Sequence, residues 1–526
     1  MTGVKRATVL VLPLAYLAVE LLLRTHSGPF WVWHVVDPSY FYLLDFLNVV
    51  SLETPGHPYH PGTTVQVLGA LTLKAAYPLT GADGIVDAVL ADPEPHLRLV
   101  STVMLVLNVV ALAVAGWVAH GVFRDLLPAL LLQTGPFLST LAIKNGFQVK
   151  PEPFLVLAMV LLAVVTVVAL KPGVIERRRY GLAAAFGVVA GFGVATKITC
   201  APLFLLPLFL LGTVPAIALY GAVSTVALVL FTSPAMGAYP VMFDWIAAVS
   251  KGSGAFGGGE AGFIDFARYP ASVVKLFSRP VLHVVFLLSL VALMAGWWRR
   301  RRGLPVPGLE MRALGGFCLA LLAQVLVVAK QPSGHYMIPA FVLSALGIVL
   351  LYRTVIGFGT GRRGWTAAFA LLLCVLVIGQ GLGVAKLDRE FRERHRLAMA
   401  VDDEKFRQCM RIFVLFASNP TYALYLGNFW TAQKLADRVA QGRSPTDFWF
   451  HHVTDEVRDW QGPRDPREIL EGAECLYIRG TGAQQVMGHF PEIEFDTACS
   501  TGVETIATAG VDCDGKITAS SLQKAP

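Results

Sequence analysis

The chain has 526 residues, of which 55% are hydrophobic and 15% charged, with a net charge of +7 and a mean hydropathy of +0.59. Soluble globular chains carry about 25% charged residues, so the composition excludes a soluble enzyme, a disordered protein and a disulfide-rich miniprotein. The apolar stretches are continuous rather than alternating and about 17–25 residues long, which selects a helical membrane protein over a barrel.

Lys5 and Arg6 precede an apolar run at about 7–23 that has no small-residue cleavage site, and we read it as an uncleaved first span. A polar stretch follows at 24–98. Further runs fall at about 99–123, 127–143, 152–170, 181–195, 199–212, 214–234, 281–297, 312–329, 336–352 and 365–384, giving about eleven transmembrane helices. The runs at 181–195 and 199–212 are short enough for a broken or re-entrant pair.

The basic clusters set the orientation. With the N-terminus cytoplasmic, Lys5 and Arg6, Arg124, Lys171 with Arg177–Arg179, Arg299–Arg302 with Arg312, and Arg353, Arg362 and Arg363 all fall inside. This is the positive-inside pattern, and it marks the net charge as a topology signal rather than a nucleic-acid footprint. The first loop (24–98), a second large loop (235–280) and the tail (386–526) then lie outside. Residues 1–385 read as a transmembrane module and 386–526 as a small C-terminal extracytoplasmic α/β domain. In the tail, Arg411–Leu415 and Cys475–Ile478 read as strands and Thr431–Gln441 as a helix.

Of the seven cysteines, Cys200, Cys318 and Cys374 lie in apolar runs. Cys409, Cys475, Cys499 and Cys513 lie in the tail, where an oxidising compartment would allow one or two disulfides of unspecified pairing.

Chemistry-bearing residues collect on the outer face. Asp37, near the aromatic residues Trp31, Trp33, Tyr40 and Tyr42, either caps a turn or takes a proton from an acceptor. His57-Pro58-Tyr59-His60-Pro61-Gly62 reads as a metal-ligand pair or, given its prolines, as a turn. Glu152 opens the fourth span, where the helix dipole favours an acid, and is also a carboxylate at the membrane edge. Lys197 follows a glycine-rich run and either snorkels or binds an anion such as phosphate. Lys330-Gln331-Pro332-Ser333-Gly334-His335-Tyr336 makes a cationic turn on the same face. The segment 64–76 suits a helix lying on the bilayer, and Gly257–Gly259 suit either a lid or a flexible connector. Acids and phosphate-binding cations at one lipid boundary suit transfer from a lipid-linked phosphate donor.

In order and spacing, these motifs resemble the C-type superfamily of integral-membrane glycosyltransferases, in the family 39-like branch with protein O-mannosyltransferases and the lipid A aminoarabinose transferase. The resemblance covers roughly residues 7–355. It rests on Asp37-Pro38-Ser39-Tyr40, His60-Pro61-Gly62, Arg98-Leu99-Val100-Ser101, Glu152, the run Gly187–Lys197 and His335-Tyr336-Met337-Ile338-Pro339. Pro38 stands where the family often has a second acid, and His335 where it often has arginine.

The resemblance implies an enzyme that transfers a hexosyl or pentosyl group, with inversion, from a polyprenyl-phosphate sugar to an extracytoplasmic glycan, lipid or protein. Asp37 would be the general base, with Glu152 assisting. Lys197, Lys330, His335 and Tyr336 would hold the donor phosphate, and Tyr40, His57 and His60 would serve the acceptor or the loop. No cofactor is demanded, although the acids leave room for a divalent metal. The partners are the bilayer, the donor and the acceptor, with no nucleic acid, and the location is a bacterial inner or plasma membrane. The competing readings are a transporter or flippase-like protein of lipid-linked sugars, a non-catalytic scaffold, and an oligosaccharide ligase or polymerase. A transporter would favour internal repeats and mid-span charges, whereas this sequence shows no repeat and its charged candidates sit at the outer edge.

Overall fold

The computed structural model describes residues 3–35, 39–252, 260–262, 264–359 and 361–518. The chain divides into two compact units: Met1–Leu23 with Pro58–Leu68 and Leu99–Leu387, and Arg24–His57 with Gly69–Arg98 and Asp388–Pro526. The second unit therefore combines the tail with two stretches of the first loop.

Among the described residues, nine helices are long and apolar enough to cross a membrane: Ala7–Ser27, Pro93–Phe123, Pro151–Ala169, Val174–Thr196, Val214–Lys251, Pro280–Arg301, Gly308–Val328, Gly334–Gly357 and Arg362–Phe406. The two remaining apolar runs are not continuous spans. The run expected at 127–143 is divided into a helix Leu126–Gln133, a 3-10 turn Gly135–Leu138 and a helix Thr140–Asn145. Pro136 sits at this break, and it has no backbone N–H with which to continue the ladder. The run at 199–212 forms the short segment Ile198–Leu211, with Pro202 inside its 3-10 portion and Pro207 at the start of its α-helical portion.

The glycine-rich run is a helix-packing seam. A Cβ added at Gly187 would lie 2.8 Å from the Val223 side chain, and one at Gly191 would lie 2.5 Å from Ala227 Cβ. These glycines let helix Val174–Thr196 press against helix Val214–Thr232, since close approach and dispersion hold helices together where lipid is as apolar as the side chains.

The second unit carries a six-stranded sheet, ordered β4-β3-β2-β1-β5-β6. The strands are β1 (Met410–Phe413), β2 (Asp447–His451), β3 (Glu456–Arg458), β4 (Pro463–Arg464), β5 (Leu476–Gly480) and β6 (Thr505–Ala509). β1 is central and parallel to both β2 and β5, whereas the outer pairings are antiparallel. Ile412, Phe450, Ile469, Ile478 and Ala507 share its core. The expected strands at 411–415 and 475–478 correspond to β1 and β5. The helix expected at 431–441 does not form as a unit: helix Pro420–Trp430 precedes it and only the single turn Ala436–Ala440 lies within it. Ala432 and Gln433 adopt φ of 62° and 56°, a left-handed pair that ends a right-handed helix.

Disulfides join Cys409 to Cys475 and Cys499 to Cys513. The first ties the starts of the neighbouring strands β1 and β5. Beside it, Arg411 grips Asp447 through two bonds of 2.6 and 2.9 Å. Arg479 bonds Asp403 at 2.7 Å and Glu504 at 2.6 Å. Pairing of this kind is what allows charges to be buried in a domain core.

Two elements of the first loop are tied to the tail within this unit. Arg438 bonds Asp83 at 2.9 Å and Asp87 at 2.7 Å on helix Ala82–Ala91. A Cβ at Gly427 would lie 3.0 Å from the Tyr40 carbonyl, so helix Ser39–Val50 lies directly against helix Pro420–Trp430.

Candidate active site

The transmembrane unit gathers several of the expected residues. Pro151 starts the helix Pro151–Ala169, which suits a ring with no N–H to lose in a first helical turn. Glu152 follows in that first turn, buried at 1% exposure. Lys197 ends helix Val174–Thr196 in an extended conformation and donates from Nζ to Glu152 Oε1 at 2.6 Å. Lys150 Nζ lies 3.8 Å from Glu152 Oε2. All three side chains are buried.

The turn at 333–336 completes the cluster. Lys197 Nζ lies 5.1 Å from the centre of the Tyr336 ring, a cation–π contact. The His335 ring lies 4.1 Å from that of Tyr336, and Ser333 Oγ is 2.8 Å from His335 Nδ1. Gln324 fixes the turn by donating to the Tyr336 carbonyl at 3.2 Å.

A piece of the first loop borders Lys197 within the same unit. Ile198 N donates to the His60 carbonyl at 2.8 Å, and Pro61 pairs with Lys197 as an isolated antiparallel bridge. The Thr64 and Thr196 hydroxyls lie 2.8 Å apart. His60 is therefore brought beside Lys197 through its backbone.

The remaining expected residues fall elsewhere. Lys330 Nζ donates to the Glu260 carbonyl at 2.6 Å. Tyr40 and His57 belong to the second unit. There the Tyr40 hydroxyl donates to Glu94 Oε1 at 3.0 Å, and the His57 amide donates to Asp45 Oδ2 at 3.0 Å. Asp37 and the glycines Gly257–Gly259 lie outside the described residues. No group of three or more metal-ligating side chains forms among the described residues.

Two residues of the site region escape a reading by sequence. Lys150 looks like a solvated loop lysine beside two prolines, yet it is buried against Glu152. Glu20 is hidden in the apolar run of the first span and is fully buried. The signal available for Glu20 was its charge alone, because an ionisable residue within a span is a functional candidate by default.

Chemically, the cluster sets one carboxylate against two lysines and a histidine. Among the described residues these side chains sum to a positive formal charge even with His335 neutral, and buried cations are favoured by pairing with an anion. Such a centre can bind a phosphate and stabilise negative charge developing on a leaving oxygen.

No family model matches the chain, and no curated protein matches it in sequence. In three dimensions it resembles the crystal structure of ArnT from Cupriavidus metallidurans in the apo state. The TM-score is 0.54 at 11% identity, covering 94% of this chain and 97% of that one. The structure of ArnT from Cupriavidus metallidurans bound to undecaprenyl phosphate aligns with a TM-score of 0.45 at 12% identity, over 94% of this chain and 97% of that one. At such identity the likeness is one of fold. The expected architecture is borne out at the level of fold: among the described residues nine helices are long and apolar enough to cross a membrane, a small α/β sheet domain lies in the C-terminal part, and the fold is similar to that of ArnT.

Proposed function

We propose that this chain is a membrane glycosyltransferase that moves a sugar from a polyprenyl-phosphate donor to an acceptor outside the cytoplasm, with inversion at the anomeric carbon. The observation that carries the proposal is the buried charge cluster of the site: Lys197 and Lys150 flank the carboxylate of Glu152, at 2.6 and 3.8 Å. The motif order in the sequence and the fold likeness to apo ArnT support the same reading.

In this mechanism the acceptor hydroxyl attacks the anomeric carbon, and Asp37 takes its proton. The bond from that carbon to the phosphate oxygen breaks, and the electron pair leaves with the phosphate. The phosphate is already a good leaving group, because it delocalises the charge it takes, so it needs cations more than a general acid. Lys197 and Lys150 supply them, with His335 adding charge when protonated. Glu152 serves as counter-ion and holds Lys197 in place through their 2.6 Å bond. Tyr336 shields Lys197 from the side. Lys330 is assigned to the surrounding turn, and Tyr40, His57 and His60 to shaping the first loop. The basic clusters orient the N-terminus to the cytoplasm and the disulfide-bonded domain to the oxidising side.

The test is transfer by purified protein in nanodiscs, offered a panel of polyprenyl-phosphate sugars, comparing native chain with Asp37→Asn. Turnover lost in a folded variant supports Asp37 as base. Turnover that survives moves the base elsewhere. A native chain that neither turns over nor binds any donor would bring the transporter reading forward.

A further inference from the structure

Glu20 has no role in the mechanism above, yet it is a fully buried carboxyl inside the first span. Its side chain lies against Gly146. A Cβ added there would stand 2.2 Å from Glu20 Oε1, 2.4 Å from Cδ and 2.6 Å from Oε2. Any other residue at 146 would therefore have to displace the carboxyl. The Phe147 backbone amide approaches the same carboxyl, and neither carboxyl oxygen completes a hydrogen bond of full geometry. A carboxyl placed in apolar surroundings with so little return is costly, so a packing role alone would be served better by leucine or methionine.

The segment it touches is the one that delivers the site. Residues 146–150 link helix Thr140–Asn145 to helix Pro151–Ala169. Their far side is held by Ser101, whose hydroxyl donates to the Phe147 carbonyl at 2.7 Å. Asn108 then donates to the Pro153 carbonyl at 3.0 Å, just past Glu152. Glu20 closes the near side at Gly146 and Phe147. Three residues beyond Phe147 comes Lys150, whose ammonium faces Glu152.

We propose that Glu20 is a positioning residue for the phosphate site: wedged against Gly146, it fixes the segment 146–150 and so holds Lys150 beside Glu152 for the donor phosphate. The inference rests on the proposed donor. Glu20 itself touches neither Lys150 nor substrate in this role; it acts through the backbone between them.

The experiment measures binding of a polyprenyl phosphate to the full chain in nanodiscs, together with thermal melting. The variants are Glu20→Gln, Glu20→Ala, Gly146→Ala and the double Glu20→Ala/Gly146→Ala. Glu20→Gln keeps the shape of the wedge and should bind within about twofold of native, whereas Glu20→Ala and Gly146→Ala should each weaken binding about tenfold. The double variant should be no worse than Gly146→Ala, because removing the carboxyl makes room for the new methyl. Melting should move little in Glu20→Gln, which separates a bound-state effect from misfolding. Two results would overturn the proposal: native-like binding by Glu20→Ala, or losses that simply multiply in the double variant. If the native chain binds no polyprenyl phosphate, the donor assignment itself fails. If it binds and Glu20→Ala binds equally well, only the role of Glu20 fails.

Discussion

Lys197 Nζ lies 2.6 Å from Glu152 Oε1, with both side chains buried to 2% exposure or less. One partner starts a membrane helix and the other ends a different one, so the bond ties two spans at their ends. Removing either partner leaves a charge in a dry setting, which costs about 3–5 kcal/mol. Glu152→Gln and Lys197→Met should each lower the melting temperature, and Glu152→Gln/Lys197→Met should recover part of the loss. Additive losses in the double variant would show that the pair is not coupled.

The glycine seam makes a purely structural prediction. Gly191→Val must push a branched side chain into Ala227, Leu228 and Ser224, all of which lie within 2.8 Å of the position of a Cβ. Overpacking of this kind costs about 1–3 kcal/mol or more. Gly181, where a Cβ meets nothing within 4 Å, is the matched control, and Gly181→Ala should leave melting unchanged.

The charges of the site were legible in sequence because each interrupts an apolar run. Glu152, Lys197 and His335 stand out against their neighbours, and the structure brings them together. Lys150 did not stand out, since a lysine before proline at a loop end normally faces water. The sheet was legible only at β1 and β5. β2 reads Asp-Phe-Trp-Phe-His and is buried along its whole length, so it lacks the alternation that marks a half-buried strand. β3 and β4 have three and two residues, too few for any period. The pairing of four tail cysteines was likewise beyond spacing alone.

Those disulfides should carry much of the stability of the second unit. The Cys499–Cys513 link encloses a separation of 14 residues and Cys409–Cys475 one of 66. Chain-entropy reasoning assigns them about 3 and about 4 kcal/mol. Cys409→Ser/Cys475→Ser should therefore melt the unit at a lower temperature than Cys499→Ser/Cys513→Ser, as read by circular dichroism or protease resistance. Equal shifts would contradict this ranking.

The second unit should also weaken in acid through His451. Burial, then the neighbouring His452 and Arg458 charges, hold its pKa down at about 4. The ring sits 4.6 Å from Phe429 and 5.6 Å from Trp449, with Nδ1 2.7 Å from Thr454 Oγ1. A histidine unfolds to a pKa of about 6.5, so the unfolded chain binds the proton first. The stabilisation from a neutral His451 is full above that value and is lost as pH falls towards 4. Melting of His451→Phe should depend less on pH across this window than melting of the native chain. An identical slope in both would remove His451 as the cause.

The most direct measurement is turnover of a polyprenyl-phosphate sugar by native chain and by Lys197→Met, each shown to be folded at the assay temperature. A phosphate centre built on Lys197 predicts a loss of at least about a hundredfold, the size seen when one donor to a developing anion is removed, with no recovery on raising donor concentration. Turnover by Lys197→Met within a fewfold of native would contradict it and leave the buried lysines as structural ties alone.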